Sequence, residues 1–301
     1  MSFLKLFYWT KENKKMKIID AHLHFCTDAY FDEIARRAQH ENSAEHLLEE
    51  YRLRGIVHGV VMGNLPVDCT CPAYPSFLSY CVGIDNRTTT FENIKEKLPL
   101  IEVHLKSPRC RGIKLYPGYA YFYIYDDRLA PMYELAAKYK KPVAVHTGLT
   151  AAADALLKYS HPMVMDEAAT KFREVTFVMC HFGEPFFVDA AAVMEKNANV
   201  VADLSGILEG KIPDFCQFLK KKRYYIEQLK GWLAYLDQYD RFMFGTDWPL
   251  ANLGDYIRFT KEIIPERHWE QVFCNNAMRI YGIKDKGRRF PFATYKYQFF
   301  G

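Results

Sequence analysis

One stretch decides how this chain is interpreted: Ile18-Ile19-Asp20-Ala21-His22-Leu23-His24, an apolar run that ends in two histidines one residue apart. A short run rich in isoleucine predicts a buried strand, and alternate side chains of a strand point to the same face. His22 and His24 therefore share a face and could hold one metal ion. Taken alone, the pair fits a core or surface pair equally well.

Length and composition permit one large domain or two smaller ones and give no indication of nucleic acid or membrane as a partner. Half of the 301 residues are hydrophobic, and the net charge of +4 arises from 40 basic and 36 acidic residues. This balance favours a small-molecule partner. No run approaches the ~20 apolar residues of a membrane span.

The eight cysteines are scattered, several of them inside apolar runs, which indicates reduced thiols and a cytoplasmic location. Cys69-Thr70-Cys71 lacks a second pair at zinc-finger spacing and is expected to lie in a loop, with a metal or redox role as the alternative. Near the N-terminus the charges follow the apolar residues 3–9, unlike a secretory signal. Residues 1–15 are expected to be an extension before a domain over 16–283.

Short apolar runs alternate with amphipathic segments along this domain, the pattern of repeated βα units. Asn42 or Ser43 is expected to cap a helix that Gly55 stops, and Pro265 to open a last helix that Gly282 stops. Eight such units predict an α/β fold, a (β/α)8 TIM barrel. The predicted strands are Lys17–His22, Ile56–Met62, Leu78–Ile84, Gly112–Tyr116, Pro142–His146, Val175–Cys180, Asn199–Asp203 and Arg241–Gly245.

Barrel enzymes carry their chemistry at the C-terminal ends of the strands. In this chain four of the ten histidines and one aspartate fall at such ends, namely His22, His24, His146, His181 and Asp247. The alternative is that each residue forms its own hydrogen bonds and has no shared function. Placement of the whole set at strand ends by chance is hard to credit. His58 lies at mid-strand and is expected to be a core histidine.

Five motifs in order at strand ends resemble the amidohydrolase superfamily, in particular the branch that holds aminocarboxymuconate semialdehyde decarboxylase. They are Asp20–His24, Gly112–Pro117, Val145–Gly148, Cys180–Gly183 and Phe244–Pro249, and residues 275–282 are also similar to the C-terminal signature of that branch.

The resemblance implies a mononuclear divalent metal site with His22, His24, His146 and Asp247 as ligands. It also implies that His181 stays off the metal and hydrogen-bonds the metal-bound water. Such a metal lowers the pKa of its water to about 7. Asp247 can then take or relay the proton, and His181 can orient the water or donate to an anion that forms on the substrate. The donor set suits zinc best, with manganese or iron as alternatives.

Three further residues are candidates for substrate binding. Lys114 could face the substrate, bridge two metals as a carboxylated lysine, or form a structural ion pair. Tyr116 stands where this branch often has histidine, and the tyrosine-rich loop that follows it could wall a pocket, form an interface or cover the barrel. Arg87 could grip a substrate carboxylate or be a solvated loop arginine. The aromatic and basic tail 284–301 is expected to dock on its own barrel or on the second subunit of a homodimer.

Three functions compete at this stage. The first is a hydrolase that attacks an ester, lactone or amide carbonyl of a small carboxylated or aromatic molecule. The second is non-oxidative decarboxylation of an unsaturated or aromatic acid. The third is an inactive barrel that serves as a binding protein, although all five expected site positions are filled.

Overall fold

A computed structural model describes residues 16–26, 28–84 and 93–284. Eight parallel strands form one sheet in chain order. All eight predicted strands are present, and the structure places them at β1 Ile18–Leu23, β2 Ile56–Met62, β3 Leu78–Ile84, β4 Cys110–Leu115, β5 Val143–Val145, β6 Phe177–Met179, β7 Val200–Asp203 and β8 Phe242–Met243. The last strand is shorter than predicted because Phe244 N donates to Val272 O instead of to a strand.

Backbone hydrogen bonds between the first and last strand segments close the sheet into a barrel. Ala21 N donates to Phe244 O at 2.9 Å, Asp247 N to His22 O at 2.8 Å, and His24 N to Trp248 O at 2.7 Å. The architecture is the predicted (β/α)8 TIM barrel. Its seam runs directly beside the two histidines of the first strand.

Helices pack around the strands: α1 Ala29–Arg37, α2 Ala44–Arg54, α3 Ile94–Lys106, α4 Pro117–Ala120, α5 Ala130–Lys138, α6 Leu157–Ser160, α7 Val164–Lys171, α8 Phe187–Lys196, α9 Phe215–Lys221, α10 Arg223–Leu236, α11 Leu253–Ile263 and α12 Asn276–Ile280. The Ser43 side chain caps α2, and Gly55 ends it at φ 79°. Both features confirm the prediction from sequence.

The helix expected after Pro265 is present but interrupted. It consists of a 3-10 turn at Glu266–His268, a π-helical turn at Gln271–Asn275 and then α12. Gly282 follows it in the left-handed conformation, with φ 60°. The wider π turn lies against β1 and β8, at the barrel seam.

The apolar core lies between the strands and the helices and includes large fully buried side chains such as Tyr51, Tyr133 and Phe177. His58 is half-buried on β2, with Nε2 2.8 Å from Ser79 Oγ, and it lies outside the cluster at the strand ends. Among the helices described, none is long and apolar enough to cross a membrane.

Candidate active site

The C-terminal ends of β1 and β8 bring three predicted metal ligands together. Asp247 Oδ1 lies 3.3 Å from His22 Nε2 and 3.3 Å from His24 Nε2. His22 is fully buried, while Asp247 is 8% exposed and faces the barrel mouth. Sequence positions 22 and 247 thus meet at one point across the barrel seam.

A buried carboxylate beneath the site holds the loop that carries Asp247. Asp20 accepts hydrogen bonds from Thr246 Oγ1 at 2.6 Å, Thr246 N at 2.9 Å and Tyr51 Oη at 2.8 Å. Burial raises the pKa of Asp20 to about 6, although these donors oppose the rise. Asp247 itself has φ 54°, so its backbone adopts the uncommon left-handed conformation at this turn.

The outer nitrogens of the first two histidines bind oxygen atoms outside the cluster. His22 Nδ1 lies 2.9 Å from Asp203 Oδ2, and His24 Nδ1 lies 3.2 Å from Met62 O and 2.8 Å from Asn64 Oδ1. A carboxylate or carbonyl oxygen can only accept a hydrogen bond, so each Nδ1 carries the proton of the neutral ring. Both Nε2 atoms therefore direct a lone pair towards Asp247.

The other two histidines at the rim are held in the same way. His146 Nε2 donates to Leu149 O at 2.8 Å, and His181 Nδ1 donates to Ser205 O at 3.1 Å. This leaves His146 Nδ1 and His181 Nε2 as lone-pair atoms, and they face each other at 3.2 Å. His146 thus contacts His181 and lies outside the group of His22, His24 and Asp247, whose ligand atoms are within 4.8 Å of one another.

With their outer nitrogens protonated in this way, the rings present acceptor atoms at the mouth of the barrel: the Nε2 atoms of His22 and His24 lie around Asp247 Oδ1, and beside them His146 Nδ1 faces His181 Nε2. Neither His22 Nε2 nor Asp247 Oδ1, both buried, has a hydrogen-bond partner. Buried acceptors that face one another repel unless a proton or a cation lies between them. The described residues therefore fit a divalent metal, and the donor set of imidazole nitrogens and a carboxylate is one that zinc prefers.

The charges of the site agree with this fit. Burial lowers the pKa of His22, but the Asp203 carboxylate outweighs it and holds that pKa well above its usual value. Burial dominates at the other two rings: it lowers the pKa of His181 to about 4 and that of His146 well below the usual value. Burial alone would raise the pKa of Asp247, but His22 and His24 hold it well below the ordinary range. Positive charge is thus favoured at His22, where a bound divalent metal would take the place of a second proton on the ring, whereas His146 and His181 are neutral at pH 7.

The three predicted substrate-binding residues have different surroundings. Lys114 is fully buried in the barrel, with Nζ 2.9 Å from Cys180 Sγ, and it does not line the cavity at the barrel mouth. Tyr116 does line that cavity, and its hydroxyl donates to the carbonyls of Gly63 and Met62 at 3.1 and 3.2 Å. Arg87 lies outside the described residues, so its role stays a prediction.

Three residues that the sequence analysis did not identify, Asp203, Asn64 and Ser205, orient the histidines that it did identify. Asp203 could have been identified from the sequence, because it is the last residue of β7 and so lies at the catalytic rim. Besides its contact with His22, its Oδ1 accepts a hydrogen bond from His181 N at 3.0 Å. Asn64 and Ser205 lie in loops and carry no distinguishing pattern in the sequence.

A cavity of about 590 Å³ opens above the cluster. Its floor includes His24, His146, His181 and Asp247, and aromatic side chains of Tyr30, Phe31, Tyr116 and Tyr119 line its wall. The cavity is large enough to enclose a small organic molecule beside the acceptor cluster.

A sequence profile of amidohydrolases matches residues 19–283. The chain belongs to the amidohydrolase family. It is therefore an enzyme of the amidohydrolase superfamily, and the match lies within the domain predicted over 16–283. The proposed extension and tail stay predictions, because residues 1–15 and 285–301 are outside the described part of the chain.

Solved structures share the barrel. An uncharacterized TIM-barrel protein from Bordetella bronchiseptica is 21% identical, with a TM-score of 0.65 over 88% of this chain and 98% of its own. An amidohydrolase from Burkholderia multivorans with bound zinc is 14% identical, with a TM-score of 0.63 over 88% and 99%. A 5-carboxyvanillate decarboxylase from Sphingomonas paucimobilis is 14% identical, with a TM-score of 0.57 over 89% and 100%. A search of curated proteins found no match.

Proposed function

We propose that this protein is a metal-dependent hydrolase that cleaves an ester, lactone or amide bond of a small molecule. The observation that carries the proposal is the convergence of Asp247 Oδ1 with the Nε2 atoms of His22 and His24, beside the facing nitrogens of His146 and His181, an arrangement that a divalent cation would satisfy. Membership of the amidohydrolase family supports the same conclusion.

His22, His24 and Asp247 would hold one divalent metal, with His146 Nδ1 as the further ligand after a small shift away from His181. Zinc suits these donors best, and the Burkholderia amidohydrolase with bound zinc is consistent with it; manganese and iron are the alternatives. When bound, the metal lowers the pKa of a coordinated water and so provides a nucleophile near neutral pH.

The chain's own groups then handle protons and orientation. His181 is neutral at pH 7 and directs Nε2 into the cavity, so it can accept a proton from the attacking water or a hydrogen bond from the substrate. Asp247 remains a carboxylate and can take up or relay a proton at the cavity floor. Asp203 fixes the tautomer of His22 and also binds the backbone N–H of His181, so one carboxylate orients two site histidines.

Decarboxylation remains the second candidate because a decarboxylase is among the structurally similar proteins. A carboxylated substrate would be held by a cationic side chain beside its carboxylate. Among the described residues that line the cavity there is no lysine or arginine, whereas several carboxylates are present. This observation favours hydrolysis.

Metal analysis combined with a reaction screen tests the proposal. The purified protein is analysed for zinc, manganese and iron, stripped with dipicolinate and reconstituted with each metal. Each form is assayed with lactones, esters, amides and unsaturated carboxylic acids, and carbon dioxide is measured separately. We expect about one metal per chain and metal-dependent hydrolysis without carbon dioxide release. Carbon dioxide as the main product, or full hydrolysis by the stripped protein, would contradict the proposal.

A further inference from the structure

The outer wall of the cavity carries three carboxylates besides Asp247. Glu184 follows β6, Glu209 follows β7, and Asp28 precedes α1, and all three line the cavity. Glu184 is half-buried and held in place by Tyr225, whose hydroxyl donates to Glu184 Oε1 at 3.0 Å. Within the described residues none of the three carboxylates forms an ion pair.

The nearest cations do not neutralise this wall. Arg37 lies near Tyr30, but its guanidinium is paired with Glu33 at 3.3 Å and it does not line the cavity. Lys222 is close enough to lower the pKa of Glu184, yet it too lies outside the lining. The net charge of the described wall is therefore negative.

The effect of this charge is visible at two neighbouring groups. Burial raises the pKa of Glu184, the hydrogen bond from Tyr225 opposes the rise, and Glu209 adds to it. The pKa of Tyr30 is likewise raised by burial and then by Glu209 and Asp247. The electrostatic potential at the cavity mouth is therefore negative around Glu184, Glu209 and Tyr30.

Aromatic rings stand beside these carboxylates. Tyr30 is 57% exposed, and its ring lies 5.4 Å from that of Phe31 in an edge-on contact, with both side chains on the cavity wall. Carboxylates next to accessible ring faces attract organic cations through charge and cation–π contacts. At the floor, the buried Oδ1 of Asp247 lacks a hydrogen-bond partner, so the reacting end of a bound molecule would lie there.

We propose that the cavity selects a small carbonyl compound that carries an ammonium group at the end remote from the bond to be cleaved. Glu184 and Glu209 are the specificity-determining residues, and the Tyr30 ring covers the cation. This inference rests on the proposed hydrolase function, and it replaces the carboxylated substrate expected from the sequence. A carboxylate at the same position would be repelled by the wall.

Three matched esters test the charge preference. They are the 4-nitrophenyl esters of 4-(trimethylammonio)butyrate, of its neutral isostere 5,5-dimethylhexanoate, and of glutarate as the anionic half-ester. With the metal-loaded protein we expect kcat/KM to be on the order of tenfold higher for the cationic than for the neutral ester, and lower still for the anionic one. The double variant Glu184→Gln/Glu209→Gln should bring the cationic and neutral values within about twofold of each other.

Glu227→Gln is the matched control, because Glu227 is exposed on α10 and does not line the cavity. It should keep the full preference. Equal rates for the three esters in the unchanged protein, or a preference for the cationic ester that survives the double variant, would overturn the inference. So would a preference for the glutarate ester that Arg87→Ala abolishes.

Binding of unreactive analogues separates this inference from the hydrolase proposal. The methyl ketones of the same three acyl chains contain no bond that can be hydrolysed, and calorimetry measures their affinities directly. If the cationic ketone binds most tightly and the double variant removes this preference while no ester is cleaved, the selection of a cation by Glu184 and Glu209 stands and the hydrolase proposal fails. If esters are cleaved but the cationic ketone has no advantage, the hydrolase proposal stands and the inference fails.

Discussion

Replacing Asp203 by asparagine should weaken metal binding without unfolding the barrel. Asp203 Oδ2 accepts the Nδ1 proton of His22 at 2.9 Å, while Oδ1 accepts from His181 N at 3.0 Å and Ser205 N at 3.2 Å. An asparagine of the same size keeps the Oδ1 contacts but places an amide donor against His22. The imidazole must then carry its proton on Nε2, the atom directed towards Asp247.

The expected magnitude follows from that tautomer change. A hydrogen bond to a charged group contributes about 1.5–3 kcal/mol, and loss of such a partner to a ligating histidine typically reduces metal affinity 10–100-fold, or about 1.4–2.7 kcal/mol. We expect the zinc Kd of Asp203→Asn, measured by competition with a chromophoric chelator, to rise within this range, with kcat/KM falling in parallel.

A surface pair provides the control for this prediction. Asp189 lies 3.7 Å from His161 Nε2 outside the site, and Asp189→Asn should leave the zinc Kd unchanged. An Asp203→Asn protein that folds normally and binds zinc within twofold of the unchanged protein would refute the role assigned to the His22 tautomer.

Three further outcomes are expected. His181→Ala should lower kcat by about a hundredfold or more with metal content retained, whereas Asp247→Ala should lose both, as activity and metal analysis of the same samples would show. Gly206→Ala should reduce turnover at least about tenfold, because a Cβ at this position would lie 2.5 Å from His181 Nδ1. Gly231→Ala is the control and should leave turnover unchanged, because a Cβ there would have nothing within 4 Å. Retained activity in Gly206→Ala would contradict this steric account. Burial lowers the pKa of His58 to about 4, so the folded state favours the neutral ring and loses stability as the pH falls from 6.5 to 4. His58→Gln should remove up to about 3 kcal/mol of this loss, measured by urea unfolding at several pH values. Identical pH profiles of stability for the two proteins would disprove this account.

The barrel and the cluster at its rim could be predicted because they follow from local patterns. The alternation of His22 and His24 along β1 places both imidazoles on one face, and strand ends of a parallel barrel meet at one rim. Asp247 could be placed beside them from this rule alone, although 222 residues separate it from His24 along the chain. These are consequences of strand geometry and need no side-chain detail.

Orientation and charge could not be predicted in the same way. The tautomers of His24 and His181 depend on oxygens from another strand or loop, Met62 O and Ser205 O, and backbone carbonyls have no sequence signature. The surroundings of Lys114 depend on Cys180 across the barrel interior. The negative wall arises from Glu184 and Glu209, which belong to separate loops and become neighbours only in the closed barrel.

The position of the proposed metal at the barrel seam has a consequence for biosynthesis. His22 and His24 leave the ribosome early, whereas Thr246, Asp247 and the backbone groups that bind them to β1 emerge more than 200 residues later. A nascent chain therefore lacks its carboxylate ligand until nearly all of the barrel has been translated. Capture of the proposed ion would therefore be a late event, and the ion would link the first and last strands of the completed barrel.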